Sequence, residues 1–113
     1  MRSAETTPVR PVEQTAVTFF DLPCLAVRSP DGSIYLSPRD ICAALNLWYS
    51  SQLRRIRGHT QLSKGLVRFL VVTVGGLQDQ DLLHLQVVAT WLLLINTARV
   101  AEPVRQRLDY LQW

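Results

Sequence analysis

Arginine carries most of the chemistry this sequence can offer. Eleven of its twelve bases are arginines, set against nine acids, for a net charge of +3. The acids are Glu5, Glu13, Asp21, Asp31, Asp40, Asp79, Asp81, Glu102 and Asp109, so nothing acidic lies between Asp40 and Asp79. That interval holds Arg54, Arg55, Arg57, Lys64 and Arg68, with His59 among them. An uncompensated basic stretch suits a polyanion or an acidic protein surface; a merely solvated helix face is the other reading.

Catalytic patterns are weak by comparison. His59 and His84 are the only histidines and sit in no metal-binding spacing. His84 reads as a semi-buried side chain of an apolar strand. Cys24 and Cys42 have no adjacent base and read as reduced thiols of a cytoplasmic protein, not as nucleophiles or zinc ligands. Ser63-Lys64 and Gly75-Gly76 do not form a phosphate-binding loop. The expectation is a non-enzyme with no cofactor and no metal.

The elements that must position the basic residues follow from spacing. The chain has 113 residues, 48% of them hydrophobic, which fits one globular domain. Its longest uncharged run, Leu82 to Ala98, is 17 residues and interrupted by polar side chains, too short to span a membrane. No apolar signal core opens the sequence, so no secretion signal is expected. Residues 1–15 read as a flexible tail and 16–113 as the domain. Ala16 to Phe20, Cys24 to Arg28 and Ile34 to Leu36 read as short antiparallel strands. Ser37 caps a helix with Pro38 at its first position, Asp40 in a capping-box place and Asn46 at its end.

A second helix is expected from a Ser50 cap to Gly58, with Leu53 and Ile56 inward. Arg55 would then face outward, flanked by Gln52, as the candidate for base edges, while Arg54 and Arg57 suit phosphates. Ser50 and Ser51 could donate to phosphates. Trp48 and Tyr49 either pack the turn into the sheet or partly face a partner. Leu66 to Val74 and Asp81 to Leu85 read as a hairpin turning at Gly75-Gly76. A buried helix follows, with Trp91 in the core and Leu92 and Ile95 against the valine strand. Val100, Val104, Leu108 and Leu111 mark a last amphipathic helix. It runs to Trp113, as though it continued toward a partner or were cut short, and its end suggests a homodimer contact. The expected class is α+β: a small antiparallel sheet with a helix pair, a β-hairpin and two closing helices, similar to a winged helix-turn-helix. The hairpin tip carries no base, so any DNA would meet the second helix and the strip from His59 to Arg68.

Three segments resemble the N-terminal domain of phage antirepressor proteins, related to the Bro N-terminal domain. They are Tyr35-Leu36-Ser37-Pro38-Arg39-Asp40-Ile41-Cys42-Ala43-Ala44-Leu45-Asn46-Leu47, Tyr49-Ser50-Ser51-Gln52-Leu53-Arg54-Arg55-Ile56, and Trp91-Leu92-Leu93-Leu94-Ile95-Asn96. Asn46 and Thr90 stand where glycines are common. The resemblance implies binding activity: antirepressors act on phage repressors, and Bro-type domains are associated with DNA. It also implies a C-terminal half beyond the present sequence.

Two functions are therefore open. One is a DNA-binding module using Ser50, Ser51, Gln52, Arg54, Arg55, Arg57, His59, Lys64 and Arg68. The other is a protein-interaction module that binds and inactivates a phage repressor with the same basic face.

Overall fold

The computed structural model describes residues 7–95. Five strands form one antiparallel sheet in the order β1-β2-β3-β5-β4: β1 Glu13–Phe19, β2 Leu22–Arg28, β3 Ile34–Leu36, β4 Leu66–Thr73 and β5 Gly76–His84. Three helices accompany it: α1 Pro38–Leu45, α2 Tyr49–Gly58 and α3 Leu85–Leu94. A 3-10 turn, Leu62–Gly65, leads from α2 into β4. The α+β class with its helix pair and hairpin is thus observed. The expected closing helix after Asn96, and the homodimer contact placed on it, lie outside the described residues.

The alternation of side chains along β4 divides the core in two. Leu66 lies on the face that the helices cover, with Cys24, Leu83, Ile41, Leu45, Ile56 and Trp91 in the first cluster. Phe69 and Val71 point the other way, into a second cluster with Val27 and Leu82. Leu92 and Ile95 belong to the first cluster, in which the residue of β4 is Leu66 and not one of its valines. Strand alternation sends Val67, Phe69 and Val71 to the face opposite α3.

The sheet curls so that its margins meet. Val9 bridges Phe69 in parallel, through Val9 N to Arg68 O and Leu70 N to Val9 O, each 2.9 Å. The Gln14 amide holds both backbone groups of Val72, at 2.7 and 2.9 Å. Val9 and the first residues of β1, Glu13 to Thr15, therefore pair within the sheet, inside the stretch read as a tail. These contacts run through backbone and one glutamine, which leave no apolar periodicity to read. The hairpin is held at both margins, by the Val9 segment and by β3, and is not a free wing.

Local chemistry explains the turns. Phe20 (φ 51°) and Asp21 (φ 69°) form the two-residue loop between β1 and β2. Pro23 falls within β2, opposite Thr18, where β3 does not run alongside and no second ladder is lost. The β4–β5 turn is Val74-Gly75, one residue earlier than expected. Thr73 Oγ1 accepts from Gly75 N and donates to Gly76 O, which closes it. In α1, Ser37 accepts from Asp40 N as expected. The Asp40 carboxylate does not complete the capping box; it accepts from Leu25 N at 2.8 Å and ties α1 to β2. His84 caps α3 by accepting from Gln86 N.

Both cysteines are free and buried. Burial raises the Cys24 thiol to about 11 and the Cys42 thiol to about 12, from ordinary values near 9. The folded state therefore keeps protons that the unfolded chain gives up. Their contribution to stability is complete below about pH 8.5 and is lost as pH rises toward 12. The urea midpoint should accordingly fall between pH 8 and pH 10.5. A thiol reagent at pH 8 should label neither cysteine of the folded protein and both in urea.

Candidate interaction surface

α2 follows α1 through a fixed turn. Asn46 takes the left-handed conformation (φ 59°), and Leu47 N reaches back to Cys42 O at 2.9 Å, closing α1. Trp48 is then the N-cap of α2, in extended conformation, and its carbonyl accepts from Gln52 N. Ser50 is not the cap; it lies inside the first turn, and no side chain caps this helix.

The inward side of α2 is broader than Leu53 and Ile56. Tyr49, Gln52 and Leu53 are half-buried and Ile56 fully buried. Gln52 Oε1 accepts from the indole Nε1 of Trp91 at 3.0 Å. A buried indole N–H needs such a partner, and the glutamine supplies it. Gln52 is thereby turned to the core and not outward, as the spacing had suggested. With these four residues inward, Arg54 and Ser51 stand roughly 150° from the inward direction, and Arg55 about 110°. The most outward arginine is Arg54, not Arg55.

Two further residues of the expected DNA-binding set have an acidic partner within the fold. Asp81 of β5 receives Arg57 Nη2 at 2.7 Å and Arg68 Nε at 3.6 Å. Arg68 and Asp81 are direct cross-strand partners, and α2 brings Arg57 onto the same carboxylate. The acid-free interval is acid-free in sequence only. Asp81→Asn should cost about 1 kcal/mol, because both arginines remain partly exposed. The loss should shrink in 1 M salt, which urea midpoints at two salt concentrations would report. His59 is also engaged: its Nδ1 accepts from Gln61 N and Leu62 N and shapes the 3-10 turn.

Ser50, Ser51, Arg54, Arg55 and Lys64 remain exposed. Arg54, Arg55 and Lys64 form no ion pair among the described residues. At the N-cap of the same helix Trp48 is 82% exposed, and Arg39 of α1 stacks on the Tyr49 ring at 4.8 Å. Sequence reasoning left Trp48 between packing and partner contact. Leu47 takes the half-buried place in the turn, which leaves the N-cap indole outside.

Among the described residues no group of three or more His, Cys, Asp or Glu could hold a metal ion. No helix among them is long and apolar enough to cross a membrane. No curated protein and no solved structure matches this chain. A family model does match, the P22_AR N-terminal domain, over residues 15–112. Those limits take in all three segments that resembled an antirepressor, and the chain belongs to this family of phage antirepressor N-terminal domains.

Proposed function

We propose that this chain is the protein-recognition module of a phage antirepressor-like protein, and that its outer α2 face binds an acidic surface of a phage repressor. The exposed indole of Trp48 carries the reading. An exposed aromatic on the same helix as the exposed Arg54 and Arg55 suits a protein interface, where tryptophan and arginine are enriched at the strongest contacts. The fold is consistent with it, since Gln52 is bonded to Trp91 and Arg57 and Arg68 are paired with Asp81. On this reading the protein is a binder, not an enzyme, and works in the cytoplasm. The chain should release a phage repressor from its labelled operator duplex at about 0.15 M salt without itself shifting the duplex. A chain that binds duplex alone, with affinity falling steeply as a power of salt, would refute it.

DNA binding is the second reading, favoured by Ser50, Ser51, Arg54, Arg55 and Lys64, which stay exposed with no acid from 41 to 78. It requires contact led by phosphates, since the glutamine that could read adenine is bonded to Trp91.

A further inference from the structure

The face of the β4–β5 hairpin that the helices cover near Leu66 and Leu83 continues past them into solvent. There β4 presents Leu70 and Val72, and β5 presents their cross-strand partners Asp79 and Leu77. Val72 and Leu77 are 64% and 63% exposed, and Val12 is 63% exposed. With Leu70 these side chains line one open groove of about 320 Å3 at the sheet margin. A contiguous apolar patch on a surface marks a site of contact with another molecule. Strand addition is not the mode, because Val9 and the Gln14 amide already hold the outer edge of β4.

The charges around the patch identify its occupant. Val9 lies level with Phe69 in a parallel bridge, so Arg10 lies level with Leu70, and it lines the same groove. Asp79 pairs with Leu70 from the other side. Arg10 and Asp79 therefore stand at one height with β4 between them, about 10 Å apart at strand spacing. Both are exposed, and neither forms an ion pair among the described residues. A two-fold axis along β4, lying in the plane of contact, exchanges these two sides and keeps the height. We infer that this hairpin face is a contact between two copies of this chain. Arg10 of each copy then meets Asp79 of the other, with Val72 and Leu77 covered between them. A contact of this symmetry needs a self-complementary patch, and one unpaired charge of each sign across an apolar centre supplies it.

Sedimentation of the full 113-residue chain tests this. The contact is small, so the mean mass should rise from that of one chain at about 5 µM toward that of two at about 500 µM, near 0.15 M salt. Arg10→Asp alone and Asp79→Arg alone each set like charges against one another at both ionic contacts. Each should weaken association by about tenfold or more. An equimolar mixture of the two variants restores opposite charges at both contacts and should regain the parent's association, as should both substitutions in one chain. Val72→Lys should abolish association and leave the urea midpoint near the parent's, because the side chain is exposed. Leu93→Lys, on the exposed side of α3, should leave association unchanged. The mass of a single chain at every concentration would overturn the inference. So would a dimer that both charge variants retain, or a mixture of them that stays monomeric.

Discussion

Trp91→Ala should cost about 3–5 kcal/mol, the usual penalty for removing a large aromatic from a packed core. Trp91 is 0% exposed and sits in the cluster that joins all three helices to β2 and β5. A domain of this size is stable by about 5–10 kcal/mol in total, so the variant would lie near the edge of folding. Its melting temperature should fall by about 12 °C or more. The hydrogen bond to Gln52 adds a finer test. Gln52→Ala strands a buried N–H and should cost about 1–3 kcal/mol, whereas Trp91→Phe loses the donor and should relieve part of that cost in the double variant. A double-mutant cycle by urea denaturation measures the coupling, expected at about 1 kcal/mol. Additive effects would show that the bond contributes nothing, and a melting curve like the parent's for Trp91→Ala would remove Trp91 from the core.

The same bond marks where the sequence was legible and where it was not. Local signals were read correctly where local geometry decides: Ser37-Pro38 opening α1, Asn46 closing it, the glycine pair near the hairpin turn. Each is a preference of the residue's own backbone. Gln52 was placed outward, and the partners of Arg57 and Arg68 were not foreseen, because those partners are far along the chain. Trp91 lies 39 residues from Gln52, and Asp81 lies 24 from Arg57. Periodicity says which side of a helix is apolar, but a glutamine that serves a buried indole looks in sequence like any outward polar residue. The curled sheet was hidden for the same reason, since Val9 and Gln14 act on β4 through backbone groups some 58–60 residues away. Trp48 was ambiguous by nature: an aromatic between two helices packs or protrudes according to which neighbour takes the inner place, and Leu47 takes it.

Trp48→Ala should leave folding within about 0.5 kcal/mol of the parent, because an indole that is 82% exposed stabilises little. Its effect should appear in binding. If the α2 face meets a repressor, the indole fills a pocket on that partner, and truncation should weaken the complex by about 2–4 kcal/mol, or roughly 30- to 1000-fold. Arg54→Glu with Arg55→Glu should act differently. These charges lie at the rim, so they should slow association and reverse its salt dependence more than they hasten dissociation. Tryptophan emission, read with Trp113→Phe in every variant, separates the two effects, since Trp91 is already buried and Trp48 is not. Titration of the parent with repressor should shift the emission to the blue, and Trp48→Phe should abolish the shift while keeping much of the affinity. On duplex DNA the order of effects inverts. Phosphate contacts would make the double arginine variant the severe one, cutting the salt slope by about 2, while Trp48→Ala would change little. The ranking of the two variants thus decides between repressor and duplex as the partner of this face. An indole that matters more than two arginines together requires a partner with an apolar pocket to receive it, which a regular duplex does not offer.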